Sequence, residues 1–496
     1  MKYYLSIDAG TSVIKTVIFD INFKQKLSYS INNPVITDST GKSELNMELF
    51  WSLTSKCIKK TISKSKVKSS SIIGIGITGN MVGLWPLNNK FQPVRNAILW
   101  NDTRSSKIFK NKKIFNDIYK LTGSITQYGC TIPILKWMTI YEKDKIKKIK
   151  YILTCKDWLR FKLTDNVYND ETEVSVFPGD IKNKKLSLKI FKIFNINKKY
   201  LSIFPKIKKS NELGGYITVA ASKLTSLKEG TPVIIGSGDV ISSTIGSSGI
   251  NNNQKISIIG TTCHNIIVKN NSKLPNYKSG LFFSSLDNTW LETMINVAGT
   301  TNIDWVIKNF FYTKTNIYNE KIKIIKTFEK KFLNKFYPEN TIIFLPYLNY
   351  GGSISPFVNL NSKAEIFGLL PHHNNFDILS ACYEGIALSI KDCFGSKIVK
   401  NDTLYLSGGG SNSLILPQLI SNSLNIKVKT LTSTELGALG ISYQISSYIN
   451  QISLKKIINK NTKFNKTYFP IPAKYKYLNL KYIKYKKLRE SLNKIW

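Results

Sequence analysis

Two aspartates of the sequence stand next to turns of small residues, where a carboxylate could reach a bound molecule. Asp8 ends the apolar run 3–7 and is followed by Ala-Gly-Thr-Ser, while Asp239 follows the Gly-Ser-Gly turn 236–238. A carboxylate in such a place can bind a divalent cation or accept a proton from a hydroxyl group. The alternative is a structural role for each, because aspartate is common in turns and at helix N-termini.

The loop after Asp8 has the composition of a phosphate-binding turn. Gly10 permits close approach to the backbone, and the amides of Gly10, Thr11 and Ser12 can point inward to hold phosphate oxygens. Lys15, on the following strand, could neutralise phosphate charge. Because a carboxylate repels phosphate, Asp8 is predicted to bind a magnesium ion, through water. A plain hairpin with a capping aspartate stays open as the alternative.

A second hairpin of the same design is predicted about 250 residues further along the chain. Residues 255–270 repeat the order of residues 3–20, which is strand, Gly-Thr-polar turn, strand. Here the turn contains Gly260 and Thr261 and no carboxylate. Two matched hairpins predict two related halves. A cleft between these halves, with one Gly-Thr turn on each side, would hold the phosphates of a nucleotide.

A third glycine-rich turn, 408–410, separates a predicted strand from a predicted helix. Its glycines allow a flat ring such as adenine to lie against the backbone at Gly409 and Gly410, although a plain loop has the same composition. Phosphoryl transfer to an alcohol also needs one carboxylate to orient the hydroxyl and accept its proton. Asp239, on its glycine-lined turn, suits that role.

Short apolar runs alternate with helical stretches along the chain, which favours an α/β fold. Strands are predicted within 71–79, 231–239, 255–262, 341–348 and 403–410, and helices over 47–64, part of 213–226, 300–310, 376–393, 413–424 and 434–448. The Gly/Ser/Asn-rich stretch 246–254 has the composition of a boundary. It predicts an N-terminal domain over 1–250, a C-terminal domain over 251–450, and a helical tail over 451–496 that packs on the body.

The charge of the chain is unusual, because 71 Lys and Arg face 31 Asp and Glu among 496 residues. This excess could indicate nucleic-acid binding. The basic residues are spread over every segment, however, so a compositional bias is the better interpretation and no specific nucleic-acid partner is expected. The six cysteines show no CxxC spacing, which favours a reducing compartment. With neither a signal-peptide pattern nor a long apolar run, we expect a cytoplasmic protein without a membrane partner.

In this order, the motifs resemble those of the FGGY carbohydrate kinases, whose two domains have the actin-like (ribonuclease-H-like) fold with an ATP and sugar cleft between them. The resemblance covers nearly the whole chain. It rests on Asp-Gly-Thr-type, Gly-x-Gly-Asp, Gly-Thr-Thr and Gly-Gly-Gly turns, and on the segments 96–104, 155–164, 344–348 and 383–390. It implies ATP and Mg²⁺ as cofactors, a small sugar as substrate, and a homodimer as the oligomer common in such kinases.

The resemblance also implies roles for individual residues. Asp239 would be the catalytic base, and Asp8 would serve the metal. Phosphate and nucleotide binding would fall to Gly10, Thr11, Ser12, Lys15, Gly260, Thr261, Gly409 and Gly410. The sugar would be bound by Asn80, Met81, Trp100, Asn101, Asp102 and Asp239.

Departures from the family pattern bear on the substrate. Glycerol kinases have Arg-Glu where this chain has Met81-Val82, so the groups that bind glycerol are missing. Xylulokinases commonly have Met-His there, and the Gly-Leu-Trp that follows is similar to kinases of L-xylulose and erythritol. Asn412, Leu416 and Asn422 replace basic, Trp and Asp residues after the glycine-rich turn, which predicts altered nucleotide affinity.

The resemblance therefore predicts an ATP-dependent kinase of a small sugar, a ketopentose such as xylulose. L-xylulose, ribulose and erythritol stay open as substrates. A sugar-sensing protein without catalysis and an actin- or chaperone-like ATPase are the alternatives from other classes.

Overall fold

The computed structural model describes residues 1–108, 112–177, 179–276, 278–311, 317–336, 338–349 and 351–496. In the first half of the chain the elements are β1 (Tyr3–Ala9), β2 (Val13–Asp20), β3 (Gln25–Asn32), β4 (Ile36–Thr37), β5 (Ser43–Leu45), α1 (Met47–Ser65), β6 (Ile72–Gly79), β7 (Trp85–Leu87), β8 (Ala97–Ile98), α2 (Lys112–Thr122), α3 (Thr131–Tyr141), α4 (Lys143–Lys148), β9 (Tyr151–Leu153), α5 (Cys155–Thr164), β10 (Asn169–Asp170), α6 (Leu188–Ile193), β11 (Ile207–Lys208), β12 (Leu213–Tyr216), α7 (Val219–Thr225), β13 (Pro232–Ile234) and α8 (Asp239–Gly246).

In the second half they are β14 (Lys255–Ile259), β15 (Cys263–Lys269), β16 (Leu281–Ser284), β17 (Trp290–Asn296), α9 (Thr301–Phe310), α10 (Ile317–Asn334), β18 (Ile343–Leu345), β19 (Glu365–Phe367), α11 (Asn375–Phe394), β20 (Thr403–Ser407), α12 (Leu416–Leu424), β21 (Lys427–Leu431), α13 (Leu436–Asn450), α14 (Leu454–Asn461), β22 (Phe464–Tyr468) and α15 (Pro472–Leu492). Within the described residues, none of these helices combines the length and apolar character that a membrane span requires.

The two large sheets of the molecule have the same arrangement. The first has the strand order β12-β13-β6-β1-β2-β3, in which β1, β6 and β13 are parallel. The second has the order β22-β21-β20-β14-β15-β17-β16, in which β14, β20 and β21 are parallel. In each half of the chain, the first two strands of the large sheet form an antiparallel hairpin, β1-β2 or β14-β15. The first strand of each hairpin also belongs to the parallel part of its sheet. The predicted α/β fold with two related halves is confirmed.

The predicted elements correspond to observed ones with three refinements. The segment 213–226 contains strand β12 and helix α7. The helix predicted from 413 begins at Leu416, because residues 409–412 form a short 3₁₀ turn. The C-terminal tail contains strand β22, which pairs with β21, in addition to its helices. Its helix α15 packs through Leu478 and Tyr485 and through a buried ion pair between Lys481 and Glu384.

The two halves are joined by contact between α8 and α13, each of which follows the third parallel strand of its own sheet. A Cβ atom at Gly440 would overlap the carbonyl oxygen of Ser242, and one at Gly246 would overlap that of Leu436. The backbones of the helices therefore touch. Helix α13 also lies on β6 of the first sheet, where a Cβ at Gly76 would come within 2.5 Å of a methyl group of Ile441.

This helix contact predicts the effect of a single added methyl group. Gly440→Ala forces the backbone of α13 away from α8 and should lower the free energy of unfolding by roughly 1–3 kcal/mol, measured by urea denaturation. Gly351→Ala is the control, because its Cβ would lie no closer than 3.6 Å to the side chain of Asn349. The control should stay within about 0.5 kcal/mol of the unaltered protein. Equal effects of the two substitutions would contradict the helix contact.

Candidate active site

The carboxyl ends of three adjacent parallel strands bring the candidate catalytic groups together. Asp8 is the penultimate residue of β1, Asn80 follows β6, and Asp239 begins α8 after β13. Because these strands are parallel neighbours, their ends lie at one edge of the sheet, where ligands bind in open α/β folds. The turn before Asp239 requires glycine at Gly236, whose φ is +78° and whose Cβ would overlap the carbonyl oxygen of Ile77.

The two aspartates of this edge have perturbed acidities. Burial raises the pKa of Asp239 to about 7, and the neighbouring charge of Asp8 acts in the same direction. Burial raises the pKa of Asp8 to about 6, with Lys15 opposing the shift and Glu435 adding to it. The Oδ1 atom of Asp239 also accepts a hydrogen bond of 2.8 Å from the amide of Val240. A carboxylate that titrates near neutral pH is suited to accept a proton from a hydroxyl group.

The start of α13 from the second half faces this edge. The ammonium of Lys15 lies 2.6 Å from Oε2 of Glu435, and a Cβ at Gly437 would approach Oδ2 of Asp8 to 2.9 Å. Lys15 was predicted to neutralise phosphate, and in this structure it pairs with a carboxylate of the other half. Glu435 was not found from the sequence, because 420 residues separate it from Lys15.

The first Gly-Thr-type loop is braced on the side of its carbonyl groups. The side chain of Asn33 donates a 2.8 Å hydrogen bond to the carbonyl oxygen of Thr11. The backbone amide of Asn33 donates a 2.8 Å hydrogen bond to the carbonyl oxygen of Ser12. The hydroxyl of Thr11 accepts a 2.9 Å bond from Nε1 of Trp100. This bracing makes no use of the amides of Gly10, Thr11 and Ser12, the groups predicted to hold phosphate.

The second loop is braced by the turn before α9. The carbonyl of Gly260 accepts from the amide of Thr300 at 2.8 Å, and that of Thr261 accepts from the amide of Gly299 at 2.6 Å. The glycine-rich turn lies against the same loop, since a Cβ at Gly410 would come within 2.6 Å of the Ile259 side chain.

Around Gly409 there is open space, because an added Cβ would meet no atom within 4 Å. The end of this turn is held by Glu329 of α10, which accepts hydrogen bonds from the hydroxyl of Ser413 and, at 3.2 Å, from the amide of Leu414. Sequence reasoning missed Glu329. It lies in an amphipathic helix 84 residues before Ser413 in the chain. Nothing in the sequence distinguishes it from glutamates that face solvent.

The three positions that suggested altered nucleotide affinity have different surroundings. Leu416 is fully buried in the core of the second half. Asn422 is buried in α12, and its side-chain Oδ1 accepts a 2.9 Å hydrogen bond from the backbone amide of Ile471. Asn412 is exposed at the end of the glycine-rich turn. Of the three, only Asn412 has a position from which it could meet a nucleotide.

The segment 80–85 after β6, where sugar contacts are predicted (the sugar segment), lies beside the turn 236–238 that precedes the candidate base Asp239 (the catalytic turn). The amide of the Asn80 side chain donates to the carbonyl oxygen of Ala9 at 3.2 Å, and its Oδ1 atom is buried without a partner in the described part of the chain. Met81 packs on Gly238, where a Cβ would come within 2.5 Å of the thioether. Val82 adopts a φ of +59°, which is strained for a β-branched residue.

In the segment 100–104, one side chain contacts the first Gly-Thr-type loop, and the polar side chains described below contact residues outside that loop. Trp100 is 41% exposed and reaches Thr11, as described above. Asn101 accepts a 2.8 Å hydrogen bond from the hydroxyl of Ser43. The buried carboxylate of Asp102 binds the guanidinium of Arg104 and the amide of Ser43. The contacts of Asn101 and Asp102 are therefore structural ones, and their sugar contacts stay a prediction.

The raised pKa of Asp239 predicts a pH-dependent stability. Between its ordinary value near 4 and about 7, the folded protein keeps a proton that the unfolded chain loses, so this group makes stability fall as pH rises through that range. Asn cannot titrate. The free energy of unfolding of Asp239→Asn, relative to that of the unaltered protein, should therefore increase by about 2–3 kcal/mol between pH 5 and pH 8, measured by urea denaturation.

The control for this prediction is Asp144→Asn, an exposed residue paired only with Lys147. Its difference from the unaltered protein should be the same at both pH values. A pH-independent difference for Asp239→Asn would show that Asp239 has an ordinary acidity in the folded protein.

Known proteins resemble the chain in sequence and in fold. Residues 3–246 match the N-terminal domain of the FGGY family of carbohydrate kinases, and residues 256–444 match its C-terminal domain. The chain is 26% identical over 507 residues to a probable L-xylulose kinase of Haemophilus influenzae, covering 100% of both. It is 25% identical over 451 residues to a xylulose kinase of Staphylococcus xylosus, covering 89% of each.

Solved structures share the fold. A xylulose kinase from Brucella ovis covers 100% of both chains with a TM-score of 0.88 at 21% identity, and one from Lactobacillus acidophilus has a TM-score of 0.87 at 22% identity, covering 99% of this chain and 98% of that one. The fold is thus the two-domain, actin-like fold of sugar kinases. Together with the matches to both family domains, it establishes that the chain belongs to the FGGY family of carbohydrate kinases, which are phosphotransferases with an alcohol group as acceptor.

Proposed function

We propose that the protein transfers the γ-phosphate of ATP to a hydroxyl group of a ketopentose such as xylulose, with Asp239 as the catalytic base. The observation that carries this proposal is the pair of Asp8 and Asp239 at one sheet edge, where the acidity of Asp239 is shifted to about 7. The sugar hydroxyl would be oriented by Asp239, which accepts its proton as the bond to phosphorus forms.

The composition of the sugar segment supports a ketopentose over glycerol. Met81 and Val82 present apolar groups beside the catalytic turn, where glycerol kinases are expected to have a charged pair. The relatives named xylulose kinase and probable L-xylulose kinase agree with this assignment. The full-length match to the probable L-xylulose kinase makes L-xylulose the second candidate substrate.

The nucleotide would lie between the two halves. Amides of the loop 10–12 and of Gly260 and Thr261 would bind the phosphates, and the open space at Gly409 and next to Gly410 would take the adenine ring. Backbone amides suit phosphate because they supply partial positive charge without a flexible side chain. Lys15, on β2 just after the first loop, would exchange Glu435 for a phosphate oxygen.

Asp8 would hold the magnesium ion that accompanies ATP. Within the described residues, no cluster of three or more Asp, Glu, His or Cys side chains could bind a metal unaided. A single carboxylate nevertheless fits Mg²⁺, which is usually held by one or two carboxylates together with substrate phosphates. When bound, Mg²⁺ neutralises the charge on the transferred phosphoryl group.

Asp239→Asn tests the base directly. Loss of the proton acceptor should lower kcat by about 10²–10⁴-fold, while ATP binding measured by calorimetry stays within about twofold. The control Asp144→Asn should retain full turnover, because its side chain is exposed and paired only with Lys147. Retention of more than about a tenth of turnover by Asp239→Asn would remove it from the role of base.

The substrate is tested by ADP release from magnesium-ATP with D-xylulose, L-xylulose, D-ribulose, L-ribulose, erythritol and glycerol, each beside a sugar-free control. We expect one of the two xyluloses to give the highest kcat/KM, at least about tenfold above glycerol, because Met81 and Val82 offer no charged side chain to the hydroxyls of glycerol. A preference for erythritol or glycerol would overturn the ketopentose assignment but not the proposed kinase activity. Release that no acceptor stimulates would count against the proposed activity itself.

A further inference from the structure

We propose that Glu173 is a positioning residue for the sugar acceptor: it fixes the strained backbone of Val82, and thereby sets the sugar affinity of the enzyme. The inference rests on the proposed kinase function. Glu173 is fully buried at the start of a short 3₁₀ helix, 91 residues after Val82 in the chain.

The contact that carries the inference is a hydrogen bond to the sugar segment. The amide of Val82 donates to Oε2 of Glu173 at 3.1 Å. Val82 is the residue with a φ of +59° between Met81 and the rest of that segment. A backbone conformation that is unfavourable for valine persists only where its surroundings hold it, and such strain is concentrated at functional sites. Glu173 is the side chain that binds the amide of this strained residue.

The residue before Glu173 holds the other side of the site. The hydroxyl of Thr172 accepts a 3.1 Å hydrogen bond from the amide of Gly238, next to Asp239, and donates one of 2.7 Å to Asp170. Two consecutive residues therefore contact the two walls of the candidate sugar site. Thr172 supports the catalytic turn, and Glu173 supports the sugar segment.

The buried charges near Glu173 balance one another, so its carboxyl group is not needed to neutralise a cation. The ammonium of Lys156 lies 2.7 Å from Asp157 and 3.0 Å from Asp170, and the guanidinium of Arg160 lies 2.5 Å from Asp157. All four side chains are fully buried. Two cations are thus matched by two carboxylates, and Glu173 is a third acid that forms no ion pair within the described residues.

The surroundings of Glu173 disfavour its ionised form. Burial raises the pKa of Glu173 well above its usual range, and Asp170 and Asp157 add to the shift against the opposing effect of Lys156. Its second oxygen, Oε1, is buried and has no hydrogen-bond partner in the described part of the chain. A residue kept only for stability would be expected to satisfy both oxygens, because each unpaired buried polar atom lowers stability.

Three variants separate positioning from a merely structural role. Glu173→Gln keeps an acceptor for the Val82 amide in a neutral side chain of the same size, so KM for the best acceptor of the panel should stay within about threefold. Glu173→Met fills the same volume without an acceptor and should raise that KM by about 10- to 100-fold, with KM for ATP within about twofold. Thr172→Val should instead lower kcat, since it releases the catalytic turn.

The matched control is Glu171→Gln, a neighbouring acid whose side chain is held by Lys184 at 3.0 Å. It should leave both KM values and kcat unchanged. A sugar KM within about twofold of the unaltered enzyme in Glu173→Met would overturn the inference, as would equal increases in KM for sugar and for ATP. If Glu173→Met fails to fold, as judged by a circular dichroism melt, the other two variants decide. A tenfold loss of sugar affinity in Glu173→Gln, or a loss confined to sugar KM in Thr172→Val, would overturn it.

Failure of the proposed function is distinguishable from failure of this inference. The first would appear in the unaltered protein, as ADP release that no acceptor stimulates. The second would appear only in the variants of an active enzyme. Acceptor-induced thermal stabilisation without ATP gives a further readout, with D-xylulose and L-xylulose as probes. It should persist in Glu173→Gln and be lost in Glu173→Met, and its persistence in Glu173→Met would overturn the inference.

Discussion

The backbone contact between α8 and α13 is the constraint on which the site depends. These helices follow equivalent strands in the two sheets, and Gly246 and Gly440 let their backbones touch. Because each helix begins where its parallel strand ends, their contact fixes how the functional edges of the two sheets face each other. It places the start of α13, at Gly437, against Asp8 and sets Glu435 beside Lys15. A side chain larger than hydrogen at either glycine would separate the loops that must act on one ligand.

The same contact explains the electrostatics of the site. Joining the halves removes water from the strand ends, and two aspartates then lie close together in a poorly hydrated place. Both effects disfavour the ionised form, so the pKa of Asp239 and that of Asp8 rise. The ion pair between Lys15 and Glu435 lies beside them and offsets part of this cost for Asp8 through the charge of Lys15. The raised pKa of Asp239 is thus obtained at the expense of stability, as is common at active sites.

Much of the fold and part of the site could be predicted from the sequence, because those features are local. Each hairpin, each glycine turn and the position of Asp239 at a helix start are encoded within a few residues, and their order along the chain restricts them to one family. The partners of these residues are not local. Nothing near Val82, Lys15 or Ser413 indicates which glutamate of the chain will reach it, because each pairing forms only when distant segments pack together. Asn101 and Asp102 show that a family motif does not reveal which other contacts its polar atoms make, since both bind Ser43 in the structure while their sugar contacts stay a prediction.

The two kinds of bracing in the site have different consequences for specificity. In the second Gly-Thr loop, the carbonyls of Gly260 and Thr261 bind backbone amides of the turn before α9 as well as threonine hydroxyls. In the first loop, the carbonyl of Thr11 accepts from the side chain of Asn33. The bonds that use only backbone groups persist through most side-chain changes, so this part of the bracing can stay constant while the side chains around it vary. The segment after β6 is held by backbone bonds and also by two side chains, since Glu173 binds the amide of Val82 and Asn80 binds the carbonyl of Ala9. A change of Glu173 acts on Val82, whereas a change of Asn80 also reaches the end of β1, next to the first loop. Under the proposed function, the acceptor preference therefore depends on Glu173, behind the sugar segment, as well as on the residues that would touch the sugar.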